Sequence, residues 1–218
     1  WTWPALYRFV VQDTRPAGRR HPSGQRTINP DAFLRLGNKE TGGETYFYFE
    51  VDLNSEVQKT LQEKMLAYLE HDREKGVLDF LGFNKNDPDV LDRGFRVLFV
   101  VGKPTDPRQN KAAVSADAGY EERSRVNNFA HWCLSMKPPI KTLAWIATRQ
   151  DFLRDPLGPI WIRPKDYLEA TTGTPYDPIR TDWRPIQREV ARDRLVDPKI
   201  TRVSLFPTKK NAPNDVGA

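Results

Sequence analysis

Thr45-Tyr46-Phe47-Tyr48-Phe49-Glu50-Val51-Asp52-Leu53 alternates strictly, and its reading decides the fold. A period of two sends Phe47, Phe49, Val51 and Leu53 to one face of a strand. Tyr46, Tyr48, Glu50 and Asp52 go to the other face. Upstream, Asn29-Pro30-Asp31-Ala32-Phe33-Leu34 also sets an acid inside an apolar run, which predicts a strand over 28–36. The turn-forming stretch Gly37-Asn38-Lys39-Glu40-Thr41-Gly42-Gly43 lies between the two, so they are expected to form a hairpin. That hairpin brings Asp31 near Glu50 and Asp52. Carboxylates beside a core are costly unless something compensates their charge, and a divalent metal is the commonest compensation.

The next segment adds a cation. Ser55 with Gln58 has capping-box spacing and opens a predicted helix over 56–73. Val57, Leu61, Met65, Tyr68 and Leu69 share one face at about 100° per residue. Lys64 sits at the edge of that face and Lys59 opposite it. A lysine on the inward stripe can reach back over the sheet, which gives a candidate site of Asp31, Glu50, Asp52 and Lys64. Each residue also has an ordinary reading. Lys64 can run along the helix flank into water, Asp31 and Asp52 can serve turns or caps, and Glu50 can pair with Arg35.

The order Pro30-Asp31, then Glu50-Val51-Asp52, then a helix carrying Lys64 resembles the core of the PD-(D/E)xK nuclease superfamily. The fuller pattern is similar to the replication-relaxation family of plasmid and mobile-element proteins. Its segments here are 26–33, 48–52, 61–68, Phe95-Arg96-Val97-Leu98-Phe99-Val100-Val101 and Asp155-Pro156-Leu157-Gly158-Pro159-Ile160-Trp161. The superfamily's lysine normally stands two residues after the strand glutamate, where this chain has Asp52, and Lys64 is then its substitute. The family usually carries a winged helix-turn-helix ahead of this core; the residues given before the first strand are too few for one, which leaves it either outside the stretch of chain given or dispensed with. The resemblance implies a restriction-endonuclease-like α/β fold, a mixed β-sheet flanked by helices. It also implies action in plasmid or mobile-element DNA replication, relaxation or mobilisation, alongside other replication or mobilisation proteins.

Composition bounds these expectations. The chain has 218 residues, enough for one good core. A formal charge of +5 permits a nucleic-acid partner without demanding one. The lone Cys133 excludes an internal disulfide framework and suits a reducing, cytoplasmic setting. No signal peptide or bilayer-length apolar run is visible, so no membrane partner is expected. His21, His71 and His131 show no zinc spacing, and no phosphate loop, dinucleotide fingerprint or nucleophile elbow is present.

Along the chain, 3–12 reads as a first strand and 15–26 as a mobile basic loop. Arg15, Arg19, Arg20 and Arg26 of that loop are candidate DNA-phosphate contacts. Residues 76–94 read as a polar insertion with Phe80, Leu81 and Phe83 as a docking knob. A doubly buried strand over 95–101, a helix over 120–136 and a strand over 142–148 follow. Proline is concentrated after Pro138, with Trp161, Trp183 and Phe206 as separate apolar anchors. The expected organisation is a nuclease-like core over 1–164 and an extended, proline-rich C-terminal tail over 165–218.

The chemistry this suggests is metal-assisted phosphodiester hydrolysis. Mg²⁺ would sit on Asp31 and Glu50 with the Val51 carbonyl, Asp52 would serve a second metal or fix Lys64, and Lys64 would orient the attacking water. The alternative is a catalytically inactive nuclease-fold module for DNA binding or complex assembly, and a structural subunit without nucleic-acid contact is the third reading.

Overall fold

A computed structural model of the protein describes residues 8–13, 23–37, 42–52, 58–91, 93–102, 116–172 and 200–205. The architecture is mixed α/β. Phe9–Gln12 (β1) and Gln25–Ile28 (β2) form a two-stranded ribbon. Ala32–Gly37 (β3), Glu44–Asp52 (β4), Phe95–Val101 (β5) and Ala144–Thr148 (β6) form a sheet in the order β3-β4-β5-β6. By contacts the chain divides into two compact units, Trp1–Phe99 and Val100–Ala218.

In the first unit, β3 and β4 are antiparallel, with Ala32 opposite Phe49 and Gly37 opposite Glu44, as the hairpin reading required. The single strand expected over 28–36 is instead two. β2 ends at Ile28 and pairs with β1, Phe9 opposite Ile28 and Gln12 opposite Gln25, whereas β3 starts at Ala32. Pro30 lies between them and has no N–H to give a ladder, so the chain changes partner there. Arg26 therefore belongs to a strand, not to the end of a mobile loop. Arg15, Arg19 and Arg20 lie outside the described residues.

The expected helix is Gln58–Arg73 (α1), and its capping-box serine lies outside the described residues. Leu61, Met65 and Tyr68 of its stripe are buried, and Lys59 is exposed. Tyr48 stands at the centre of the packing beneath: its ring centroid lies 5.0 Å from that of Phe9, 4.7 Å from Phe95 and 5.5 Å from Tyr68. The stretch read as a polar insertion contains two short helices, Gly76–Phe80 (α2) and Pro88–Leu91 (α3). Val77 and Leu78 bury α2, and the Phe80 ring meets Phe9 and Phe33 at 5.1 and 5.2 Å, so the expected docking knob is partly absorbed by this unit's own aromatics. Gly76 admits no side chain, because a Cβ there would fall 2.2 Å from the His71 ring.

In the second unit, Ala116–Ser135 (α4) packs on β6 and on Pro164–Thr172 (α6). Val126, Phe129, Ala130 and Cys133 are buried on α4. Thr148 caps Arg149–Arg154 (α5), its hydroxyl accepting from the Asp151 N–H at 3.0 Å. Trp161 is fully buried and bridges Val203, and Ile162 bridges Ile146. The segment expected to be an extended tail from 165 begins instead as helix α6. Proline suits the first turn of a helix, and the Arg163 guanidinium grips the Asp166 carboxylate with two bonds of 2.7 Å. Residues 173–199 and 206–218, with Trp183 and Phe206, lie outside the described residues.

Candidate functional site

The site is built where the ribbon hands over to the sheet. The Asp31 N–H donates to the Phe49 carbonyl at 2.9 Å, and Asp31 Oδ2 accepts from the Val51 N–H at 2.7 Å. Both bonds run to β4, so β4 alone fixes Asp31 one step beyond the Ala32–Phe49 pair, level with Glu50. The strand period turns Glu50 inward, where it is 2% exposed.

Two groups from α1 meet the Glu50 carboxylate. Lys64 Nζ donates to Oε2 at 2.9 Å, and the Tyr68 hydroxyl donates to Oε1 at 2.5 Å. They lie four residues apart, one turn of helix, so a single face delivers both donors to the two oxygens. The Lys64 side chain is 33% exposed, against 3% for that of Glu50. The solvated-flank reading of Lys64 does not hold, and Arg35 pairs with Glu44 instead of Glu50.

Burial raises the Glu50 pKa above the ordinary carboxylate range, while Lys64 and the Tyr68 hydrogen bond pull it back. The charge of Asp31 raises it further, so the two acids sense each other. Tyr68 is itself held well above its ordinary pKa, by burial first and by Glu50 next, and remains a donor. Behind it the Tyr48 hydroxyl and His71 Nε2 are 2.8 Å apart, and burial lowers His71 to about 4.

A cavity of about 200 Å³ opens beside this cluster, its wall including Arg26, Thr27, Asn29, Glu50, Lys64 and Tyr68. Arg26 Nη1 donates to the Glu63 carbonyl at 2.8 Å, which ties β2 to α1 across the cavity. A water takes about 30 Å³ of liquid, so a phosphate group with a few waters fits this volume.

No protein-family model, curated protein or solved structure matches the chain. The site's chemistry rests on its residues.

Among the described residues no group of three or more His, Cys, Asp and Glu side chains is arranged to hold a metal ion. Asp52 is buried two residues beyond Glu50, but it does not join Asp31 and Glu50 in such a group. The smaller expected set is Asp31 and Glu50 with the Val51 carbonyl; of these the structure joins Asp31 to the Val51 N–H and gives both Glu50 oxygens donors from α1. Mg²⁺ keeps several waters and is usually held by one or two carboxylates together with substrate phosphates.

Tyr68 is the site residue that sequence reasoning missed, because it was counted only as part of an apolar stripe. Its signal was a hydroxyl one turn after Lys64, facing an acidic strand, since a buried tyrosine hydroxyl generally finds a partner. Among the described residues no helix is long and apolar enough to cross a membrane.

Proposed function

We propose that this chain is a DNA-acting protein with a restriction-endonuclease-like core of the PD-(D/E)xK type, cleaving phosphodiester bonds with Mg²⁺. The observation that carries the proposal is the Lys64 ammonium at 2.9 Å from a buried Glu50 that stands level with Asp31. A buried carboxylate shifted by desolvation, with a cation on it and a second acid beside it, is a combination concentrated at functional sites.

Asp31 and Glu50 would hold the ion, which supplies an acidified water and charge neutralisation at the phosphate. Lys64 and Arg26 face the cavity and offer N–H donors to phosphate oxygens. Tyr68 keeps Glu50 turned toward the cavity. The basic segment holding Arg15, Arg19 and Arg20 precedes β2 in the chain and is assigned to backbone contacts that position a duplex. The resemblance to the replication-relaxation family supports a role in replication, relaxation or mobilisation of plasmid or mobile-element DNA.

Supercoiled plasmid incubated with the protein and Mg²⁺ or Mn²⁺ tests the reading. Nicking by the wild type that disappears in Glu50→Gln and Asp31→Ala is expected, and cleavage surviving either substitution defeats the assignment.

One observation favours a second reading, an inactive nuclease-fold module for DNA binding or assembly. Both Glu50 oxygens already have donors within the protein, and Asp31 is bonded to the Val51 amide. On that reading the plasmid stays intact, while duplex affinity falls steeply with salt because phosphate contacts release counterions.

A further inference from the structure

Glu50 commits both oxygens inside the protein, Oε2 to the Lys64 ammonium at 2.9 Å and Oε1 to the Tyr68 hydroxyl at 2.5 Å. Toward the cavity beside it, Glu50 therefore acts as an anchor that fixes where Lys64 sits. Arg26, on the same cavity wall, is fixed in a similar way: Nη1 donates to the Glu63 carbonyl at 2.8 Å, and the Glu63 carboxylate lies 4.0 Å from Nη2. An ammonium carries three N–H groups and a guanidinium five. The bonds to Glu50 and to the Glu63 carbonyl take one of each. Thr27 and Asn29, also on the wall, are residues with neutral donors. Two cations held by the fold, with neutral donors beside them and the wall's single carboxylate already answered, suit an anion.

The size of the cavity narrows the choice. Pockets that engulf a drug-sized ligand run to roughly 300 to 1,000 Å³, and this one holds about 200 Å³, so it takes a single group and not a whole nucleotide. A phosphodiester inside a strand has a nucleoside on each side and one negative charge. A phosphomonoester at a strand end has one flank and a charge of about −1.5 to −2 near neutral pH. From this match of size and charge we infer that the cavity is a subsite for a terminal phosphate, with Lys64 and Arg26 as its cationic donors. The inference rests on the nucleic-acid part of the reading above and makes no use of its metal. Hydrolysis of a strand leaves one phosphate end and one hydroxyl end, so the same cavity would hold on to the phosphorylated product of a nick.

The probe is a short, internally labelled DNA single strand prepared with a phosphate at one end, at the other, or with hydroxyls at both. Fluorescence anisotropy with the full chain in EDTA reads its affinity. Wild type is expected to bind one of the phosphorylated strands about 10- to 100-fold more tightly than the hydroxyl-ended one, the scale for hydrogen bonds to a charged group. This comparison needs no variant to fold. Lys64→Gln and Arg26→Gln are each expected to bring the phosphorylated strand down toward the hydroxyl-ended one, whereas Lys59→Gln, an exposed lysine across α1, keeps the preference. Equal affinity of wild type for all the strands overturns the subsite and leaves the nucleic-acid reading standing. A preference that survives either cavity substitution in full, or that Lys59→Gln also removes, overturns the subsite too. If no strand binds, the nucleic-acid reading falls, and calorimetry with inorganic phosphate and with a nucleoside monophosphate decides the cavity. Binding of either that is lost in Lys64→Gln keeps the phosphate site, and binding that is absent or unchanged in Lys64→Gln removes it.

Discussion

Lys64 and Glu50 lie fourteen positions apart in the chain, on different elements, and meet at 2.9 Å with the carboxylate buried and the lysine side chain partly exposed. The charge inside the fold is thus matched from its accessible side, where a ligand can compete for it. Closing the pair over would desolvate the ammonium as well, and fully buried pairs are weak stabilisers.

The first prediction concerns this ammonium. Lys64→Ala is expected to slow plasmid nicking by about 100-fold, the scale for losing one charged donor at a reacting oxyanion. Duplex binding in EDTA, measured by gel shift, should stay close to wild type, because a single site-facing lysine contributes little to the phosphate contacts along a duplex. Loss of binding in parallel with loss of nicking would assign Lys64 to affinity instead of chemistry.

Asp31 separates structure from catalysis. Its Oδ2 accepts from the Val51 N–H at 2.7 Å, and an asparagine can keep that bond through its amide oxygen. Asp31→Asn should be within about 0.5 kcal/mol of wild type in stability, while Asp31→Ala loses about 0.5 to 1.5 kcal/mol with this surface bond. Both should fail to nick plasmid. An active Asp31→Asn would remove the acid from the site.

His71 makes a pH prediction. Burial holds the folded imidazole at about 4, against an ordinary 6.5. Above 6.5 both folded and unfolded chains carry a neutral ring, and its contribution to stability is complete. As pH falls the unfolded chain takes up the proton first, so stability drains away between 6.5 and about 4. The total is about 3 kcal/mol. Urea titrations at pH 7 and pH 4.5 should show this fall, and His71→Phe should flatten it. Identical slopes in the two proteins would rule out His71 as the source.

Gly76 gives a packing test of the same region. An added methyl group would sit 2.2 Å from His71 Cε1 and Nδ1, in a ring already held by Tyr48. Gly76→Ala is expected to cost about 2 kcal/mol and lower Tm by roughly 4 to 8 °C. An unchanged Tm would mean that the ring has room to shift.

Much of this site was legible in the sequence because it depends on two periodicities. The period-two pattern of 45–53 placed Glu50 on one face with Tyr46, Tyr48 and Asp52, and the helical period placed Lys64 at the edge of the inward stripe of α1; that the tyrosine face is the buried one came from the structure. What was not legible depended on partner choice. The apolar run through Ile28 and Leu36 gave no hint that Pro30 would send β2 to one partner and β3 to another. Arg26 was assigned to a loop because Gly, Pro and Ser surround the arginines before it, whereas its own residue faces a strand partner, Val11. The proline count after Pro138 suggested an extended tail, but Pro164 occupies the first turn of a helix, where its missing N–H is harmless. Tyr68 escaped notice because hydropathy records its ring and ignores its hydroxyl.

Asp31 takes both of its backbone-directed bonds from β4 and none of those described from the ribbon before it. The acid is therefore moored downstream of the Pro30 discontinuity, on the strand that also carries Glu50. The ribbon serves the core instead: Phe9 packs on Tyr48, and Arg26 ties β2 to α1.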